Sequence, residues 1–273
     1  MTAAALPRPL RHYLEFARIG FINILAFRLR YYTGIVTYLI NVTVYYFIWK
    51  ALYASDPHFA EGFDFAEMTT YVAVGWVIRS VYFNNIDSEI ASDVQSGDVV
   101  MSMLKPTGVQ VRYLGQAVGE AAFRLILLTT PAALLVSLIF PVRGPASLGH
   151  LGAFFVALAG AVMLTGALNF IVGALALRLK AILGLLRAKF YVQELLSGLL
   201  VPLTMFPPAL AKMMAWLPFQ HIAYTPLRIY LGKLNGAELG EALVIQWAWV
   251  AALLLFGAWF WERMARKVTV HGG

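Results

Sequence analysis

Six apolar segments separated by shorter polar stretches run along most of this chain. They are Tyr31–Trp49, Met68–Phe83, Leu125–Phe140, Leu151–Leu177, Phe190–Phe206 and Ala242–Trp261. A helix needs about 20 residues to cross the hydrocarbon of a bilayer. The second and fifth segments fall slightly short of this length, so their spans must include flanking residues. The pattern predicts an all-α membrane protein with six transmembrane helices.

Composition supports a protein that faces lipid. Of the 273 residues, 60% are hydrophobic and only 13% are charged, and a soluble domain of this size needs more polar surface. Residues 1–273 are therefore interpreted as a single transmembrane domain, with little chain left over for a soluble one. The chain has no cysteine, which excludes disulfides, thiolate metal sites and a cysteine nucleophile.

Positive charge falls mainly on one side of the predicted spans. Fifteen of the 21 Lys and Arg residues lie on that side and five on the other, with only Arg79 inside a span. Short loops rich in Lys and Arg face the cytoplasm. We therefore expect a multi-pass protein of the plasma (cytoplasmic or inner) membrane with both termini cytoplasmic. Anionic membrane lipids, and not nucleic acid, explain the net charge of +7.

Residues 1–30 have an amphipathic pattern before the first span. Apolar residues such as Leu10, Leu14 and Phe21 recur at helical spacing, and Arg11 and Arg18 lie on the opposite face. This predicts an N-terminal amphipathic helix lying in the cytoplasmic membrane interface. The alternative is the beginning of one long first helix.

The loop at residues 86–106 shows a helical pattern of its own. Apolar residues recur every fourth position, acidic residues lie at the start, and a glycine follows as a stop signal. The candidate docking residues are Ile86, Asp87, Glu89, Ile90, Asp93, Val94 and Gly97. The apolar run Asp98–Pro106 is too short to cross a membrane. The loop is either a docking element for another protein or a solvated connector.

Residues 203–230, after the fifth span, are apolar but interrupted by prolines. Since each proline in lipid releases backbone groups that need new partners, we expect short re-entrant helices in the outer leaflet. Such a cap is either a gate or a static plug. Its candidate residues are Pro207, Pro208, Leu210, Met213, Met214 and Pro218.

Few charges lie inside the predicted spans. Arg79 lies near the inner end of the second span and Glu194 in the first turns of the fifth, and ionisable residues at membrane depth are candidates for function. Both could instead reach the interface or pair with each other. Glu120 and Arg124 have the i, i+4 spacing of a local pair. The histidines lack metal-ligand spacing, so no metal site is predicted.

The fourth span carries small residues seven positions apart. They form two adjacent rows, Gly152, Ala159, Gly166 and Gly173, and Ala153, Gly160, Ala167 and Ala174. Small residues allow helices to approach closely in lipid. We expect this strip to pack against another helix, either within the chain or across a subunit boundary.

Taken together, this arrangement resembles the membrane-spanning permease subunits of ABC exporters. The resemblance covers nearly the whole chain and rests on loose motifs in a defined order. These are Phe27-Arg28-Leu29-Arg30, Glu89–Gly97 followed by Leu104-Lys105-Pro106, Ser197–Leu203 with Phe206-Pro207, and Leu217-Pro218-Phe219. In such families the first cytoplasmic loop carries a coupling helix that binds an ATPase. The segment between spans five and six covers the translocation path.

The resemblance implies an ATP-driven exporter for an amphiphilic or lipid-like substrate. This chain lacks the G-x-x-x-x-G-K-[ST] phosphate loop, so no cofactor is expected on it. ATP and Mg are expected on a cytoplasmic ATP-binding subunit present in two copies. A six-span subunit is half of the usual path, so a second permease, identical or related, is also expected.

Three other classes of protein remain as alternatives. An ion-coupled secondary transporter would place charges or broken helices near the bilayer midplane. An intramembrane enzyme would place paired catalytic residues within the spans. A non-catalytic membrane scaffold would explain the strip of small residues but leave the structured loop without a role.

Overall fold

The chain folds as a bundle of helices in the computed structural model. It describes residues 15–16, 18–19, 21–22, 28–56, 59–60, 62–105, 107–179 and 182–266, with side chains from residue 33 in the first long helix. The helices are α1 (Arg28–Ser55), α2 (Phe65–Tyr82), α3 (Ile86–Ser96), α4 (Asp98–Met103), α5 (Val109–Phe123), α6 (Thr130–Ile139), α7 (Leu148–Ala174), α8 (Leu183–Leu196), α9 (Pro208–Ala215), α10 (Tyr224–Tyr230) and α11 (Gly236–Ala265). The predicted interfacial helix at residues 1–30 lies largely outside the described residues.

Helices α2 and α7 form the centre of the bundle. Most of α2 is buried, including Met68, Tyr71 and Ile78 with no exposed area. Helix α7 carries a buried face from Phe154 to Ala174 and contacts α2, α3, α5, α10 and α11. Burial explains why α2 can carry Thr69 and Thr70, since their neighbours are protein side chains.

Four helices in the described part of the chain are long and apolar enough to cross a membrane. They are Thr33–Ser55, Val109–Ile139, Leu148–Leu177 and Gly236–Ala265, which correspond to the first, third, fourth and sixth predicted spans. The second predicted span forms α2, with 18 residues. The boundaries of the fifth were wrong, because α8 begins at Leu183 and ends at Leu196 instead of running from Phe190 to Phe206.

The third predicted span begins sixteen residues earlier than the apolar pattern indicated, because α5 and α6 are one continuous helix from Val109 to Ile139. A π-helical segment, Arg124–Thr129, joins them. Pro131 has no N–H to donate and its ring crowds the preceding turn, and the Thr130 N–H bonds the Leu125 carbonyl across the wider turn. The Thr129 hydroxyl lies 2.6 Å from that of Ser80 on α2, which fixes the widened turn against the core.

At one end of the bundle, ion pairs join the start of α2 to the α6–α7 link and to the α10–α11 link. Asp64 and Glu67 form a capping box at the start of α2. Arg143 binds Asp64 at 2.9 Å, and Lys233 binds Glu67 at 2.7 Å. The short helices α9 and α10 lie at this end, between α8 and α11. Gln246 of α11 donates hydrogen bonds of 2.8 Å to the carbonyl of Ala157 on α7 and to that of His221 between α9 and α10. These bonds attach the α9–α10 link to the bundle.

The strip of small residues on α7 packs within the chain along its second half. Gly160, Gly166 and Gly173 are buried, whereas Gly152 and Ala159 are exposed. A Cβ on Gly166 would lie 2.6 Å from Leu114 of α5, and one on Gly173 would lie 3.0 Å from the Asp87 Cα of α3. The glycines therefore let α5 and α3 approach the α7 backbone.

Two alanine substitutions on α7 should have opposite effects on stability. Alanine is a better helix former than glycine by about 1 kcal/mol, and nothing lies within 4 Å of a Cβ at Gly152, so Gly152→Ala should keep or raise the melting temperature. Gly173→Ala pushes against the α3 backbone and should destabilise by about 1–3 kcal/mol. Thermal unfolding of the detergent-purified variants measures both. Equal melting temperatures would contradict the close α3–α7 contact.

Candidate functional site

Helix α3 presents its apolar stripe to its own chain. Ile86 is 2% exposed and Ile90 is not exposed at all. Both pack in one cluster with Val109, Tyr113 and Phe170, and Val94 packs against its edge. Ile86, Asp87 and Ile90 are thus buried against their own chain, and the contact of this helix with an ATPase stays a prediction. The helix itself ends as expected at Gly97, which has a left-handed φ of 84°.

The outward side of this region consists of the polar face of α3 and the apolar face of α4. Ser88, Glu89 and Gln95 are exposed on α3. After Gly97, exposed apolar residues follow, with Val100 37%, Met101 65% and Leu104 74% exposed. We call Val100, Met101 and Leu104 the α4 patch. Sequence reasoning noted the apolar run but did not single out these residues, although Val100 and Leu104 have helical i, i+4 spacing.

Asp93 fastens the far end of α3 to α5. It lies 3.6 Å from the Arg112 guanidinium and accepts a hydrogen bond from the Tyr113 hydroxyl. About a third of its side chain remains exposed. Asp93 therefore stabilises the contact between α3 and α5, and its exposed part adds negative charge to the outward side of α3.

A buried polar network fastens the beginning of α3 to α7 and α8. Lys189 of α8 binds Asp87 at 2.6 Å and also donates to the side-chain oxygen of Asn169. The Asn169 amide donates to Asn84 at its backbone oxygen, 3.0 Å, and side-chain oxygen, 2.8 Å. Asn84 lies in the three-residue link between α2 and α3. The network therefore holds the point where the core helix α2 passes into α3. Sequence reasoning missed Asn84, Asn169 and Lys189.

A second ion pair connects α8 to α2. The Arg79 Nε lies 3.2 Å from both carboxylate oxygens of Glu194, and the Tyr82 hydroxyl donates to the same carboxylate. The structure therefore pairs the two intramembrane charge candidates with each other. Glu194 lies in the last turn of α8 rather than in its first turns, because the helix begins and ends earlier than predicted.

A cleft of about 440 Å³ opens between α1, α2, α3 and the π-helical segment. Charged residues, hydroxyls and aromatic rings line it together, including Thr37, Trp76 and Phe83. The Glu120–Arg124 pair, 2.9 Å apart, forms one wall and confirms the expected local pair. Loss of hydration raises the pKa of Glu89 to about 7, and the negative charges of Glu120 and Asp93 act in the same direction against Arg124.

The predicted outer-cap residues lie in and around α9, at the end of the bundle opposite α3. Pro208 begins the helix, Met214 is fully buried and Met213 is 52% exposed. Leu210 packs against the main core, Pro218 is buried, and Pro207 is exposed. The chain enters this region through Gly198, whose φ of 71° and close approach to Leu203 exclude a side chain. The Tyr71 hydroxyl bonds the Gly198 carbonyl, anchoring the turn to α2.

These features define a class of protein: an all-helical, multi-pass membrane domain in which a short helix after the second long one, α3, is held against the core by a buried ion pair. Residues 39–272 match the model of a family described as ABC-2 family transporter protein. The chain belongs to this family, and it is a permease component of an ABC transporter that works with an ATP-binding subunit. A comparison with curated proteins finds no match.

The raised pKa of Glu89 predicts a pH dependence of stability. A carboxyl group with a folded pKa above its ordinary value of 4.5 binds a proton more tightly in the folded state. The folded state therefore loses stability as pH rises from about 4.5 to about 7. Glu89→Gln removes this loss, so the variant should gain melting temperature over the original chain at pH 8 relative to pH 5. A difference that does not vary with pH would contradict the raised pKa.

Proposed function

We propose that this chain is the six-span permease of an ATP-driven exporter in the plasma (inner) membrane, with both termini cytoplasmic. The α4 patch is the observation that carries the proposal. It lies beside a helix fixed to the core of the bundle, on the side that the distribution of Lys and Arg assigns to the cytoplasm. The family match supplies the partner class, an ATP-binding subunit.

The exposed side of α3 and α4 has the chemistry of a docking surface. Its apolar centre is the α4 patch, and Asp98 at the start of α4 is exposed next to it in the chain. Apolar residues supply most of the energy of a protein interface, and charged groups at the rim favour a complementary partner. We expect the ATP-binding subunit to receive Met101 and Leu104 in an apolar groove with basic residues at its edge.

Six spans fit the helices when α2 and α8 are included. Helix α2, with 18 residues, is about 27 Å long, close to the hydrocarbon thickness. Helix α8, with 14 residues, is about 21 Å long. The turn at residues 197–202 and the short helix Leu203–Met205 would complete its crossing. Helices α9 and α10 then form the outer re-entrant segment.

The cleft beside Glu89 supports an amphiphilic or lipid-like substrate. Trp76 and Phe83 offer apolar surface, while Thr37 and the charged side chains offer polar contacts in the same space. Two ATP-binding subunits would carry ATP and Mg, and a second permease, identical or related, would complete the path. Closure of the ATP-binding subunits would then shift the paired permeases between two packings.

Substitutions in the α4 patch should separate the two subunits without unfolding the permease. We expect Met101→Asp with Leu104→Asp to abolish co-purification with the ATP-binding subunit, because the charges would have to be buried at the contact. The melting temperature of the permease alone should stay unchanged, since both side chains are exposed.

Two controls make this test specific. Leu148→Asp introduces a single aspartate at a residue that is 86% exposed at the opposite end of the bundle, and should leave the subunits together. Ile90→Asp should unfold the permease, because Ile90 is completely buried. Retention of the ATP-binding subunit by the Met101→Asp/Leu104→Asp variant would contradict docking through the α4 patch.

The orientation can be tested because the chain contains no cysteine. Ser92 on α3 and Gly144 between α6 and α7 are both exposed. In intact cells a membrane-impermeant maleimide should label Gly144→Cys but label Ser92→Cys only after lysis. The reverse pattern would contradict cytoplasmic placement of α3.

A further inference from the structure

Helix α8 is attached to the rest of the chain by two ionic contacts at different levels and by Leu186, which is buried in a cluster with Ala91 of α3. Much of its apolar surface is exposed, including Leu183 at 64% and Leu195 at 55%. Lys189 binds Asp87 on α3, and Glu194 binds Arg79 on α2. The first contact therefore connects α8 to the proposed docking region, and the second connects α8 to the core of the bundle.

The Lys189 ammonium lies where α3, α7 and α8 meet. Its two acceptors are the Asp87 carboxylate and the Asn169 side-chain oxygen. The side chain of Asp87 is 8% exposed and that of Lys189 is 16% exposed. Because water screens such a pair only weakly, its attraction persists when the helices shift. Separating the two charges would leave each one largely buried without an opposite charge.

Helices α3 and α7 are closely packed at this level. Gly173 brings the α7 backbone against Asp87 and Ile90, and Asn169 holds the link before α3 through Asn84. Close packing of this kind leaves little room for sliding. A displacement of α3 by a docked subunit would therefore move α7 as well, and Lys189 is the polar attachment through which α8 would follow.

We propose that Lys189 is the positioning residue that makes α8 follow α3 when the ATP-binding subunits close. The inference rests on the proposed function, because it requires a docked ATP-binding subunit. Asp87 and Asn169 are its two partners in this role. The Arg79–Glu194 pair holds α8 to α2 and does not transmit movement from α3.

The experiment uses the complete complex in lipid nanodiscs. Spin labels on Ser92→Cys and Leu195→Cys, both exposed positions, report the distance from α3 to α8 without nucleotide and after trapping with ADP and vanadate. With Lys189 present, trapping should leave this distance unchanged. In Lys189→Met, which keeps an unbranched side chain without the charge, trapping should shift or broaden the distance.

The rate of ATP hydrolysis provides the second readout. Stimulation of the ATP-binding subunit by the permease should fall about fivefold or more in Lys189→Met, the range of coupling between distinct sites. Lys189→Arg, which keeps a cation that can donate to both partners, should retain both readouts, which separates the loss of the charge from substitution at this position as such. Glu194→Gln should leave the α3–α8 distance unchanged on trapping.

Two results would overturn the inference. If Lys189→Met lowers the melting temperature but keeps the distance and the stimulation of the original chain, the contact is purely structural. If the unmodified permease binds no ATP-binding subunit, the proposed function fails and this inference fails with it. The binding measurement on the unmodified chain distinguishes the second result from the first.

Discussion

Buried polar side chains must be satisfied within the protein, because hydrocarbon offers them no hydrogen-bonding partner. In this bundle that requirement converges on Asn169, in the last two turns of α7. Its amide holds Asn84 between α2 and α3, and its oxygen accepts from Lys189 of α8, which in turn binds Asp87. Four helices thus obtain their relative positions from one short chain of contacts.

The contact chain works only because α7 lets its neighbours approach closely. Gly166 admits Leu114 of α5, and Gly173 admits the backbone of α3. Side chains at these positions would push α3 outward and separate Asp87 from Lys189. Small residues and buried charges therefore support the same arrangement, the first by allowing contact and the second by making one register favourable.

This arrangement determines what the first connecting region offers to a partner. Ile86 and Ile90 pack against the bundle and present no exposed side chain to another subunit. In the proposed complex the exposed apolar residues of α4 take that place, with Met101 and Leu104 the most exposed among them. One face of the region thus packs against the bundle, and the other is exposed, where we propose that the ATP-binding subunit binds.

The sequence by itself determined the helical class, the stop at Gly97 and the Glu120–Arg124 pair. Each of these depends on residues a few positions apart, where helical spacing determines which side chains are in contact. Only the tertiary structure decided that Arg79 meets Glu194, 115 positions away, and that Lys189 meets Asp87, 102 positions away. It also decided which side of α3 is buried. An apolar stripe shows that a face avoids water, but a helix of the same chain, lipid and a partner all satisfy that requirement.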